Sequence, residues 1–237
     1  MIAPLWQNQS FPEITKMVLA GDWNAFNKDD TALPWNLTRI TAPDPQGTPD
    51  GFDWFINTIH VAAAGGDTTP GVHSFAIVAG SYSRQWGGAT INIDGATSVP
   101  WFSGNVLGPT NNISFEDGFY YSFRIIDWRS NFPLTIAVMK TSAPPVLLTV
   151  AGQTPVVPTS NDSVTVNIVT SQPKSAEERI YLRWSTDTYV TSHMVEAIGS
   201  GVNYSAIIPA QPAGTSVQYC IATSTVDLSR VVASGTL

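Results

Sequence analysis

The chain has 237 residues, enough for two domains of roughly 100 to 150 residues, and each half is long enough to bury its own core. Only 12% of residues are charged, and Ser, Thr, Val, Gly and Pro dominate over strong helix formers, a composition that favours an all-β, turn-rich architecture. The net charge is −7, with 7 basic and 12 acidic residues up to Val146 and 4 and 6 after it, so neither half offers the clustered Lys and Arg that nucleic acid or an anionic membrane requires.

Residues 1–15 show no period and read as a surface arm anchored by Trp6. Met17-Val-Leu-Ala20 is a short apolar run closed by turn formers, so a strand there feeds a loop that presents Trp23 and Phe26. The last part of Asp29–Ile40 alternates as a strand and runs into the loop Thr41–Gly51. Phe52–Ala62 alternates again, with Phe52, Trp54 and Ile56 on one face and a slip before Ile59 and Val61. A turn at 65–71 leads to the strand Val72–Gly80, where Phe75 and Ile77 share a face, and then to Ser81–Gly88 with Trp86. Thr90–Gly95 follows, and a long polar stretch carries Trp101 and Phe102 as far as Ser114. Strands at Phe119–Ile126 and Leu134–Met139, joined by the loop Asp127–Pro133, close this half. Seven or eight short strands separated by turns are the signature of a sandwich.

The boundary is expected within Lys140–Pro145, where two consecutive prolines favour an extended, semi-rigid connection, giving domains at 1–146 and 147–237. Beyond it, Ser163–Thr170, Ile180–Ser185, His193–Ile198, Tyr204–Ile208 and Thr215–Ile221 each alternate with period two. Turn residues separate them, and Pro173–Arg179 is the one stretch with the composition of a helical turn. Cys220 is the single cysteine, so no intramolecular disulfide forms. It sits in an apolar alternation with no His or basic residue near it in sequence, which reads as a small core residue and not a catalytic thiol. No segment approaches the roughly 20 apolar residues of a membrane span, and no basic region precedes an apolar run at the start. With the abrupt close at Val231–Leu237, the chain is expected to be a mature or excised piece.

Two resemblances add to this reading. Val18-Leu-Ala-Gly-Asp-Trp-Asn-Ala-Phe26 resembles the V-x-G-x-F-N-x-W strand and loop of starch- and glycogen-binding early-set modules and of surface modules of bacterial glycan-uptake proteins. Gly71-Val-His-Ser-Phe-Ala-Ile77 is similar to their G-x-Y-x-Y-K-F strand, and Trp86 falls near an aromatic that in that family stacks on sugar. Phe26 stands where Trp is common, Ala76 stands where the family has Lys, and the insert from Asn27 to Gly51 has no counterpart. The second half resembles the fibronectin type III-like repeats found beside carbohydrate-active domains in secreted bacterial proteins. It does so through Glu177-Glu-Arg-Ile-Tyr-Leu-Arg-Trp-Ser-Thr-Asp187 and Tyr204–Tyr219. The resemblances imply two immunoglobulin- or fibronectin-like β-sandwiches in tandem, the second serving as a spacer or interaction module.

Seven of the eight tryptophans precede the boundary: Trp6, Trp23, Trp35, Trp54, Trp86, Trp101 and Trp128. Sugar rings pack their C–H faces on aromatic planes while neighbouring polar side chains take the hydroxyls. A sandwich core absorbs two or three tryptophans, Trp54 first and Trp23 next. Trp86, Trp101 and Trp128 lie in polar, Gly-rich loops and are open between binding platform and loop anchor. The candidate ligand set is Trp23, Phe26, Trp86, Trp101, Trp128, Arg84 and Gln85, with Asn92, Asn105, Asp127 and Arg129 as further hydroxyl partners. His60, His73 and His193 lack zinc-ligand spacing and read as structural or surface residues. A structural Ca²⁺ near Asp44, Asp50, Asp53 and Asp67 is a minor alternative without EF-hand spacing, so no cofactor is expected. Asp94, Glu116 and Asp127 are conceivable glycosidase carboxylates, but acids are few in apolar contexts and no hydrolase elbow, metalloprotease motif or phosphate loop occurs. The expectation is a non-catalytic, secreted or cell-surface protein binding polysaccharide through loop aromatics, without membrane insertion. The alternative is a subunit of a surface layer, filament or adhesin that self-associates through those aromatics.

Overall fold

The computed structural model describes residues 14–40, 53–102, 108–127 and 133–225, with Ile40, Asp53, Trp54, Ile126 and Asp127 described as backbone only. The arm at 1–13, the whole loop 41–51, Asn105, Trp128, Arg129 and the segment 231–237 therefore lie outside the described residues, as does the Trp54 side chain. The chain divides into two compact units, the first ending at Lys140 and the second starting at Thr141. Both are all-β.

In the first unit β1 (Val18–Gly21), β4 (Gly71–Ala79), β5 (Ser81–Trp86) and β7 (Trp101–Phe102) form one sheet in that order, with β8 (Asn111–Phe115) also paired to β4. The second sheet runs β2 (Thr38–Ile40), β3 (Asp53–His60), β9 (Tyr120–Asp127), β10 (Leu134–Thr141) and β6 (Gly95–Val99). Period-two alternation sends Leu19, Phe75, Ile77, Trp86 and Ile113 from the first sheet into one core with Phe55, Ile59, Tyr121, Phe123 and Ile136 from the second. Each fully buried aliphatic or aromatic side chain of this set contributes about 1.5–3 kcal/mol.

The β3–β9 ladder runs unbroken from Asp53 opposite Asp127 to His60 opposite Tyr120. The expected slip before Ile59 is thus absent. Phe55, Ile59 and Val61 are the inward set, while Asn57, which shares their face, donates its side-chain amide to the Pro34 carbonyl at 2.7 Å. An amide at an inward position mimics a change of phase in the sequence. Ser81–Trp86 is a strand and not a loop. A register irregularity falls between Val78 and Ala79; before it, Gln85 and Trp86 pair with Val78 and Ile77 on opposite faces. Both are buried because the sheet is covered on both faces there, Ile77 lying in the main core and Val78 in a separate cluster with Ala20 and Ala76. Thr90–Gly95 contributes an isolated bridge at Thr90, and the strand there is β6, which starts at the residue after Asp94.

The second unit pairs β11 (Leu148–Thr154), β12 (Val164–Thr170), β16 (Asn203–Ile208) and β15 (Ile198–Ser200) in that order. Its other sheet runs β14 (His193–Glu196), β13 (Arg179–Ser185), β17 (Gln218–Ser224). Val166 and Ile168 on β12 and Tyr204, Ala206 and Ile208 on β16 meet Ile180, Leu182 and Trp184 on β13. The single strand expected over His193–Ile198 is divided between the sheets. Buried Ala197 donates its amide to Ile180 at 2.8 Å, and there the chain leaves β13's neighbour and joins β16. Pro173–Arg179 forms bends without a helical turn, and Cys220 is buried and not in a disulfide.

The residues after the boundary belong to the second unit. Ser142 donates to Glu177 at 2.8 Å, and buried Glu178 accepts the Val146 amide at 3.2 Å and the Thr223 hydroxyl at 2.6 Å through one oxygen. No helix among the described residues is long and apolar enough to cross a membrane.

Candidate functional site

Where β1 ends, the chain turns through a short 3-10 segment, Asp22–Asn24, and Ala25 and Phe26 follow with φ of 52° and 57°. This reversal places the Trp23 indole back over Gly21, where an added Cβ would lie 2.4 Å from Cε2. The ring is pinned rather than presented. Its Nε1 donates to the Leu19 carbonyl at 3.1 Å, it stacks on Trp35 at 4.8 Å and 10°, and it leans on His73, Phe75 and Phe115. A part-buried edge remains.

Beside that edge Asp22 bridges to β4. One oxygen lies 2.8 Å from His73 Nδ1 and the other accepts the Ser74 amide at 3.0 Å. His73 Nε2 lies 2.8 Å from the Thr69 carbonyl. A carbonyl only accepts, so Nε2 carries a proton. Nδ1 faces the Asp22 carboxylate, so both ring nitrogens are engaged. Its side chain is 12% exposed and that of Asp22 is 43% exposed, so the carboxylate is the part open to solvent.

The opposite wall is the connection between β3 and β4. His60 and Asp67 close it: the His60 amide donates to the Asp67 carboxylate at 2.7 Å and the Asp67 amide returns to the His60 carbonyl at 2.8 Å. Gly66 is required there, since a Cβ would sit 2.4 Å from the Ala62 nitrogen. Further ties run from Ala62 to Thr68 and from Ala63 to Asp117. Between the two walls lies a cleft of ≈ 390 Å³, lined by Asp22, Trp23 and His73 on one side and by Ala63, Asp67 and Thr69 among others on the other. That volume is within the range of small-ligand sites.

The expected ligand set is not gathered here. Trp23 alone of that set lines the cleft. Trp86 is 0% exposed and Gln85 2% exposed, so neither can act as a platform or a hydroxyl partner: the sheet is covered on both faces where they lie. Trp101 meets Trp86 edge-on at 4.9 Å and 63° and packs on the core. Arg84 is part-buried on β5, and Phe26 serves through its backbone carbonyl, which accepts the Tyr82 hydroxyl. Trp128 lies outside the described residues. The conceivable catalytic acids hold structure instead. Asp94 accepts the Lys140 amide at 2.9 Å, and Glu116 pairs with the Lys140 ammonium at 2.7 Å, while the Asp127 side chain is outside the description. Of the calcium candidates, Asp67 closes its turn, and Asp44, Asp50 and the Asp53 side chain are outside the description.

No family model, curated protein or solved structure matches the chain. The functional reading therefore rests on the cleft. Asp22 and Thr69 were not singled out in the sequence, and His73 read as structural. The only local signal was an acid between a strand end and an aromatic, since contact between positions 22 and 73 has no spacing rule.

Proposed function

We propose that the chain is a non-catalytic, extracellular or cell-surface protein that binds polysaccharide in the cleft beside Trp23. The observation supporting this reading is the meeting of Trp23 with Asp22, Asp67 and Thr69 around a cleft of ≈ 390 Å³. Sugar C–H groups make dispersion contacts with the open indole edge, and carboxylates accept strongly from sugar hydroxyls. Both Asp22 oxygens already hold His73 and the Ser74 amide, which fixes the carboxylate in place. Affinity electrophoresis through gels containing α-glucan, β-glucan, xylan or mannan tests it, with Ala63→Trp as the variant, because this exposed lining residue fills the cleft without removing core. Retardation of the wild type by one polymer and its loss in the variant are expected. Free passage through every gel counts against the reading.

A specific observation favours assembly as the second reading. On the outward face of the second unit Ile198 is 83% exposed and Ile207 54% exposed, and Ile198 lies opposite Ser205, two residues before Ile207. Apolar side chains exposed on neighbouring strands suit the core of a subunit contact. Concentration-dependent polymers in negative-stain images favour it, and a monomer at all concentrations does not.

A further inference from the structure

We infer that the cleft accepts uncharged glycan and excludes polyuronates and sulfated polysaccharides, an inference that rests on the polysaccharide-binding reading above. Among the described residues that line it are two carboxylates, Asp22 and Asp67, and no lysine or arginine. Recognition of a carboxylate or sulfate relies on guanidinium or ammonium donors, which pair with it through charge-assisted hydrogen bonds. His73 does not supply one. Both of its ring nitrogens are spent on Asp22 and the Thr69 carbonyl, and little of its surface is open. Asp67 is exposed and commits one oxygen to the His60 amide. A ligand anion entering the cleft meets carboxylates well inside the screening distance of about 8–10 Å at ordinary ionic strength. A neutral pyranose meets acceptors for its hydroxyl protons and the indole edge for its C–H groups.

The test is affinity electrophoresis of wild type and Asp67→Asn through gels containing neutral β-glucan, xylan or mannan, and through gels containing polygalacturonate or carrageenan. The asparagine oxygen keeps an acceptor for the His60 amide, so the turn keeps its tie, and an unchanged melting temperature checks that it does. Wild type is expected to be retarded by a neutral polymer and to run freely through both anionic ones, and Asp67→Asn is expected to gain retardation in the anionic gels. Retardation of wild type by polygalacturonate or carrageenan overturns the inference and leaves polysaccharide binding standing. Anionic exclusion unchanged in Asp67→Asn overturns the role given to this carboxylate. Free passage through every gel overturns the binding reading itself.

Discussion

At Gly21 the constraint is space and not backbone conformation. Its φ of −135° and ψ of 179° suit any residue, but a Cβ would approach three atoms of the Trp23 indole at 2.4, 2.7 and 2.9 Å. That ring cannot swing aside cheaply, because it is stacked on Trp35 and its Nε1 is bonded to Leu19. Gly21→Ala is therefore expected to cost about 1–3 kcal/mol, the usual range for overpacking a well-filled site. Denaturant unfolding of wild type and variant measures it, and equal midpoints would refute the close approach. Asp22, next in the chain, takes the Ser74 amide beyond the point where β1 stops. One side chain thus extends the edge of a strand and sets one wall of the cleft.

Among the elements, the connection between β13 and β14 carries a pH signature. The Asp187 carboxyl is held down from 3.8 to about 2, first by the Thr191 hydroxyl, then by the Thr191 amide and the Ser185 hydroxyl. A folded-state value below the unfolded one means a stabilising contribution that is complete above 3.8 and fades as pH falls through about 2. Wild type is expected to be more stable than Asp187→Asn at pH 5, with the gap closing between pH 4 and pH 2. Urea midpoints across that span check this, and a gap independent of pH contradicts it. Strands such as β9, β12 and β16 are legible in the sequence because one buried face imposes a period of two, while β4 and β13, buried on consecutive residues at Phe75–Val78 and Ile180–Leu182, are legible as short apolar runs. β11 is not legible, since Thr149, Val150, Ala151 and Gly152 are all exposed and no alternation is selected there. β5 is hidden because the sheet is covered on both faces at Gln85 and Trp86, so consecutive residues are buried and the period is lost. The division of His193–Ser200 between two sheets leaves no trace either, because both sheets demand the same apolar pattern. The Trp23 loop is legible as a strand end followed by turn formers, but the wall it builds is not. His73 and Asp22 meet across 51 positions, through an imidazole whose two nitrogens happen to find two acceptors.

For the whole molecule, the two core clusters have no described residue in common. Each contains a full complement of inward strand positions, so each unit is expected to unfold as its own cooperative block. Calorimetry is expected to resolve two transitions. Leu182→Ala, which opens a hole in the second core, should lower only one of them, by an amount corresponding to about 2–5 kcal/mol. A single transition that moves as one would show that the blocks are coupled. The ring lying over Gly21 also has a meaning on the timescale of descent. A lineage that gains a side chain at position 21 must first have lost the large ring at position 23, so the order of the two replacements is constrained. Gly21→Ala combined with Trp23→Leu is accordingly expected to be less harmful than the sum of the two changes alone, and sequences sharing this turn should vary at these positions jointly or not at all.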